Sequence, residues 1–561
     1  MTNFNDLNGK SYLCRTFKRS RRPCLHFIRG FLLGAALTVL FAATSSAVRA
    51  QQAAGQENDT GEKQALQPSG EKSDQRLTKL SEKQITELKQ AGDRLADQGD
   101  YQRALEKYTQ AYQGVVTGLR GQAYLRAVQP SIFNREQLGV EMVKLIEQEY
   151  TPAELELMDL SYKVFGFVPP QLDSTALMTA MLTEEVAGFY DPDNKRMVLI
   201  VEDAPSKPPS WLGSLLGAKQ AFDKDEQKTT LAHELTHALQ DQLYDLNAME
   251  KGLENDDDML LAFSALVEGD ATLLMFAESS DQQDITKMDP AAMRATFNIM
   301  SWMMPLAGGK SFRSAPAIFR DSLTFPYFQG MLFVLAVAGE GGWEGVHQAF
   351  SNPPCSTEQI LHPDKYLREI DVPQVVMLPD VTELLPPGWE KLGGNCLGEF
   401  QTSILLKRVS GGSVAAVGWD GDRYELFRNA EGKLGLIYAS IWDSSKDADE
   451  FAQAYNSYRK LDAEQGGLKH AAQNQPQGDG ERPPSPARKL GKETTGVAGE
   501  TTGETTDETP LSVFADDAHQ VLGVDEDARV WIVEGFPATV SAQVAKRVST
   551  FQCKAKRFPL P

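Results

Sequence analysis

The chain has 561 residues, enough for more than one domain, and a formal net charge of −21 at pH 7. An acidic surface of that size argues against nucleic acid and against anionic membrane as partners. Five cysteines are too few to organise a fold of this length through disulfides.

Residues 1–50 read as a signal peptide. Arg15, Lys18, Arg19, Arg21, Arg22 and Arg29 form a basic region, residues 31–43 a short apolar run, and Val48-Arg49-Ala50 a small-residue cleavage site before Gln51. Ser20-Arg21-Arg22 is similar to a twin-arginine signal, from which Cys24 and His26 depart. The run is short for a membrane span, and no other segment reads as one. The expectation is an exported chain, periplasmic or extracellular, with no stable membrane insertion after cleavage. Loss of residues 1–50 removes eight Lys and Arg and one acid, which leaves −28. Of the cysteines, Cys355, Cys396 and Cys553 remain, so at most one disulfide forms.

Residues 51–78 are polar and read as a disordered linker. Residues 79–116 read as a helical hairpin. Ser81 and Gln84 make a capping box, Gly99-Asp100 a turn, and Tyr101, Ala104, Leu105, Tyr108, Ala111 and Tyr112 trace one helix face. The pair resembles a single tetratricopeptide unit. A lone unit cannot bury its own face, so it packs on the rest of the chain or binds a protein partner.

From 117 to 182 the pattern stays helical. Thr151-Pro152-Ala153-Glu154 is a helix start, and Pro169-Pro170 ends that run. A turn at Asp191-Pro192-Asp193-Asn194 leads into a strand at Arg196–Ile200. Residues 205–222 form a Pro-, Gly- and Trp-containing loop, placed to roof a cleft before the next helix.

That next helix carries His233-Glu234-Leu235-Thr236-His237, an H-E-x-x-H string. Residues four apart share a helix face, so His233 and His237 can bind one Zn²⁺, with Glu234 beside it as general base. No charged residue other than Glu234 lies between Thr229 and Gln240. Burying a carboxylate and two imidazoles there costs several kcal/mol unless they are paired or ligated, and a metal answers that cost. Catalytic zinc keeps three protein ligands. Leu243 stands where some zinc proteases have a third histidine. In the apolar run from Met259 to Leu274, Glu268 is the third-ligand candidate, and Asp270 a candidate acceptor for a ligand histidine N–H.

Thr230, Leu231, the H-E-x-x-H string, Ala238 and Leu239 fit the extended zincin pattern. Glu268-Gly269-Asp270-Ala271 looks like the E-G-x-A ligand helix of the small peptidase MA-like gluzincins. The resemblance spans residues 188–366, although Glu268 lies further beyond His237 than the third ligand of thermolysin-like enzymes. It implies a zinc-dependent peptidase with one Zn²⁺ per chain, ligated by His233, His237 and Glu268, acting on peptide or protein substrates. It also implies an oxyanion donor from a later helix. Tyr327 is the candidate, although it reads first as a core tyrosine clustered with Phe325 and Phe328. Zincins align substrate along an edge strand, for which Arg196–Ile200 is the candidate.

The metallopeptidase-like region is bounded at 117–370. A second, smaller domain begins at 371 and includes Gly418-Trp419-Asp420-Gly421-Asp422, read as a glycine-rich turn into a strand rather than a Ca²⁺ site. Residues 464–510 are low in complexity and read as a disordered loop. Residues 511–561, with strand Val530-Trp531-Ile532-Val533, complete the interrupted domain. The expected fold class is α+β: a helical hairpin, a mainly helical zincin-like domain with a small β-sheet, and a smaller α+β domain. The competing functions are a gluzincin-type fold with a different hydrolytic or carboxypeptidase activity and an exported scaffold that binds partner proteins, its zinc site structural or vestigial.

Overall fold

A computed structural model describes residues 79–201, 224–253, 255–279, 284–295, 297–298, 309–464 and 518–559. The signal peptide, the 51–78 linker, the 205–222 loop and all but residue 464 of the low-complexity segment lie outside them.

Helices α1 (Glu82–Asp97) and α2 (Tyr101–Arg120) form the hairpin. The Ser81 hydroxyl accepts from the Gln84 N–H at 3.3 Å and the Gln84 side chain accepts from the Ser81 N–H at 2.9 Å, satisfying two donors at the helix start. Gly99 turns the chain at φ 79°, in the left-handed region. Ala104, Leu105, Tyr108, Ala111, Tyr112 and Val116 share one core with Leu231, Leu235 and Leu239 of the motif helix. The rest of the chain therefore covers the face that a lone hairpin leaves open.

Next come β1 (Gln129–Phe133), α3 (Arg135–Glu149), α4 (Pro152–Phe165) and α5 (Ser174–Glu185). Strand β1 corrects the all-helical expectation for 117–182. Its five residues show no two-residue alternation, and they are extended because they pair in parallel with a strand further along the chain. The predicted start of α4 is present, with Glu154 accepting from the Thr151 N–H at 2.6 Å and Pro152 at the first turn. The helix ends at Gly166, φ 78°, before Pro169-Pro170 is reached.

Strands β2 (Gly188–Asp191) and β3 (Arg196–Ile200) form a hairpin whose turn is organised by Asp191. Its Oδ1 accepts from the N–H groups of Asp193 and Asn194 at 3.1 and 2.9 Å. The sheet order is β1-β3-β2, with β2 antiparallel to β3. Strand β3 is thus central, with both backbone edges engaged. This overturns its reading as the edge strand; β1 and β2 are the edges.

Three helices form the centre: α6 (Lys224–Tyr244), α7 (Asp257–Ser279) and α8 (Ala317–Ala349), the last made of two segments meeting at Gly342. Helices α7 and α8 cross at Gly269 and Gly330. A Cβ on Gly269 would overlap the Gly330 backbone, and one on Gly330 the backbone of Ala265. Both helices are long and apolar enough to cross a membrane, against the expectation that no such segment lies beyond the N-terminus. The apolar stretch of α7 is wholly buried inside the protein and that of α8 is 72% buried.

Besides several short helices, the chain then forms β4 (Gln374–Met377), β5 (Glu390–Asn395), α9 (Gly398–Leu406), β6 (Trp419–Arg428), β7 (Leu434–Trp442), α10 (Ser445–Glu464), β8 (Ala518–Val524), β9 (Arg529–Pro537), α11 (Ala538–Val548) and β10 (Gln552–Ala555). An antiparallel sheet runs β5-β6-β7-β9-β8, and β10 pairs with β4. Residues on both sides of 465–517 therefore build one sheet. Asp420 and Asp422 lie inside β6, at a bulge, and not in a turn before it. Asp422 accepts from the N–H groups of Leu397 and Gly398 and from Trp419 Nε1, each at 2.8 Å, so its carboxylate joins α9 to the sheet. Burial of Lys556 beside Asp256 (2.8 Å) and Asp258 (3.2 Å) ties the start of α7 to the chain beyond β10. Cys355, Cys396 and Cys553 are free thiols. At the level of class, the protein is mixed α+β as the sequence predicts.

Two substitutions test the helix packing. Gly330→Ala must push α7 and α8 apart and is expected to cost about 3 kcal/mol. Gly339→Ala, on the same helix with open space around it, is expected to stabilise by about 0.5–1 kcal/mol. A third tests the sheet: Asp422→Asn places an amide NH₂ against N–H donors and is expected to cost about 1–3 kcal/mol. Chemical denaturation midpoints of the three variants read these changes.

Candidate metal centre

Helix α6 is two-faced. Leu231, Ala232, Leu235, Ala238 and Leu239 face the hairpin core. His233 and His237 face Glu268 of α7, one helical turn separating the two imidazoles, and Glu234 is buried between them in sequence. The helix is fixed from behind, where the Tyr124 hydroxyl donates to the Leu235 carbonyl at 2.7 Å.

The α7–α8 crossing sets Glu268 against both histidines. Glu268 Oε2 lies 3.0 Å from His233 Nε2 and 3.3 Å from His237 Nε2, and the two Nε2 atoms are 3.0 Å apart. A tetrahedral ion with bonds of 2.0–2.1 Å holds its ligand atoms about 3.3 Å apart. The donor set of two imidazole nitrogens and one carboxylate oxygen therefore fits a divalent transition metal. Glu268 Oε1 and Glu234 Oε2 are buried with no hydrogen-bond partner, which leaves acceptor capacity on both residues. Among the described residues, one other group has ligand-like spacing: Glu358, Asp371 and Asp443. Lys365 Nζ already bridges all three at 2.6, 2.8 and 2.7 Å.

The charges of the cluster act on one another. Burial would raise the Glu268 carboxyl, but the neighbouring His237 charge and hydrogen bonds from both imidazoles hold it below the usual carboxylate range. Burial opposes the His237 imidazolium, yet the Glu268 carboxylate outweighs it and lifts His237 to about 9. Glu234 is pushed upward by burial, against the pull of His233 and His237. The Tyr190 backbone of β2 lies close enough to act against that rise, so this edge strand runs beside the motif.

The support behind His237 differs from the sequence expectation. Its Nδ1 lies 2.9 Å from Gln240 Oε1. Gln240 Nε2 donates to the Val267 carbonyl at 3.0 Å and to Asp270 Oδ2 at 2.8 Å. Asp270 therefore stands one residue further out than predicted: it bonds Gln240, not a histidine. Its other oxygen pairs with Arg120 of α2, whose guanidinium lies over the Trp343 ring at 4.8 Å. The sequence reading missed Gln240 and Arg120. Gln240 has a local signal, three residues past His237 and on nearly the same face; Arg120 has none.

Tyr327 is 2% exposed, and its ring stacks 5.9 Å from the His233 ring. Phe325 pairs instead with Phe400, and Phe328 with Phe297. The three rings share one buried core, as the sequence grouped them, and Tyr327 in addition lies beside His233 of the candidate metal centre.

Residues 389–508 match a family described as Domain of unknown function (DUF8575). The match begins just before β5 and contains none of the residues of the metal centre. No curated protein and no solved structure matches the chain.

The geometry predicts one divalent ion per chain. His237→Ala and Glu268→Ala are expected to lose it and Glu234→Gln to keep it, as measured by elemental analysis of purified protein. Retention in both alanine variants would exclude this ligand set.

Proposed function

We propose that this protein is an exported zinc-dependent peptidase of the gluzincin type. The observation that carries the reading is Glu234, a buried carboxylate one residue from His233, with an oxygen left open beside a two-histidine, one-glutamate set. Imidazole and carboxylate donors suit zinc. A structural zinc site fills its fourth position with Cys or His and has no use for a base. That counts against the scaffold reading.

Zinc bound there would supply a Lewis acid for the scissile carbonyl and acidify the attacking water. Glu234 takes that water's proton and returns it to the leaving amine. Its burial raises its pKa toward the working pH, where a base exchanges protons most effectively. His233 and His237 are held by α6, and Glu268 by the glycine crossing, so the three donors need little reorganisation. Tyr327, stacked beside His233, is the candidate donor to the developing oxyanion. A peptide substrate would pair along β2, the sheet edge that runs beside the motif. The apolar face of the hairpin is taken up by α6, which leaves its outer surface for any protein partner.

The test is cleavage of a denatured-protein or peptide library by purified wild type and variants. Glu234→Gln is expected to lose cleavage by about 10²–10⁴-fold while keeping its metal. Undiminished cleavage in that variant would sink the peptidase reading. Tyr327→Phe is expected to lower kcat by about 10²–10³-fold with little change in KM or zinc content. An unchanged kcat would return Tyr327 to a packing role.

A further inference from the structure

Arg120 and Asp270 form an ion pair with side chains 1% and 0% exposed. Burying two charges costs several kcal/mol per ion, and apolar residues of similar volume are often as stable or more so. Stability is therefore a poor reason for the pair, and its position supplies a better one. Arg120 closes α2 at the far end of the hairpin, and Asp270 lies two residues past Glu268.

The chain of contacts from Arg120 to His237 has one consistent hydrogen-bond polarity. Arg120 Nη1 donates to Asp270 Oδ1, which fixes the carboxylate. Asp270 Oδ2 and the Val267 carbonyl then both accept from Gln240 Nε2. Two acceptors on that side exclude the flipped amide, whose carbonyl would face them. Gln240 must therefore point Oε1 at His237, and His237 must carry its proton on Nδ1. In the neutral imidazole that binds metal, the lone pair is left on Nε2, which faces His233 Nε2 and Glu268. Each link sets the orientation of the next.

We propose that Arg120 is a positioning residue of the metal centre: through Asp270 and Gln240 it fixes the His237 tautomer that binds metal, and so makes the N-terminal hairpin part of the site. The inference rests on the metal reading above, and it gives the hairpin a role separate from partner binding. It also accounts for a buried cation from a distant helix standing behind a ligand histidine.

The experiment measures zinc affinity by chelator competition and the visible absorption of the Co²⁺-substituted protein, on the full mature chain. Arg120→Ala is expected to weaken zinc by about 10–100-fold, the usual effect of losing an outer support. Arg120→Lys should recover most of that loss, because an ammonium can still pair with Asp270. Since Arg120→Ala strands a buried carboxylate, the double variant Arg120→Met/Asp270→Leu removes both charges and fills their space. It is expected to melt at or above the wild-type temperature, yet bind zinc about 10–100-fold more weakly with a shifted Co²⁺ spectrum. A folded double variant with wild-type zinc affinity and an unchanged spectrum would overturn the proposal. Wild type that binds zinc tightly but cleaves no peptide would remove the peptidase reading and leave the role of Arg120 standing. Wild type that binds no zinc would remove both.

Discussion

A carboxylate with 1% of its surface exposed, held between two imidazoles, sets the terms for the structure around it. An isolated Glu268 in this apolar environment would lose its charge or unfold its surroundings. Three features offset that cost. The His233 and His237 nitrogens lie within 3.3 Å of it. Helix α7 can approach α6 because α8 presses close from behind, glycine against glycine. Helix α6 is wrapped on its other side by the hairpin core. Removing any of these leaves a buried charge without compensation, so the fold and the chemistry cannot be separated at this point.

The Arg120–Asp270–Gln240 chain extends the same logic outward. A histidine that ligates metal must present one nitrogen and keep its proton on the other. The protein meets that requirement with an amide whose two ends are told apart by their acceptors. The outermost member comes from the first helical pair of the described structure, which makes the hairpin a structural neighbour of the site as well as a cover for α6.

What the sequence revealed was local. The H-E-x-x-H string shows in five consecutive residues because a helix turns spacing into a shared face. The capping residues Ser81 and Thr151 show because their partners lie three positions away. The place of Glu268 beside the two histidines was legible because an acid inside a nearly unbroken apolar run must be buried and so needs a cation or a metal beside it. What stayed hidden depended on distant partners. Strand β1 is extended only because β3 lies beside it. Strand β3 reads as an edge until β1 is known to cover it. Gln240 and Asp270 could be ranked only once α6 and α7 had been set against each other. The membrane-like hydropathy of α7 and α8 reflects burial against protein, which composition alone cannot distinguish from burial in lipid.

The tie between Lys556 and the start of α7 spans about 300 positions of sequence. Asp258 is fully buried, and Lys556 is the cation set against its charge, while Phe558 packs on Phe263 one turn further along the same helix. A ribosome working from the amino end therefore makes the ligand helix long before the residue that neutralises its first turn. Until that residue emerges, the helix bearing Glu268 has an unbalanced negative end and a gap in its packing. The order of synthesis thus leaves the first turn of the helix bearing Glu268 without these contacts until β10 and the residues after it have been made.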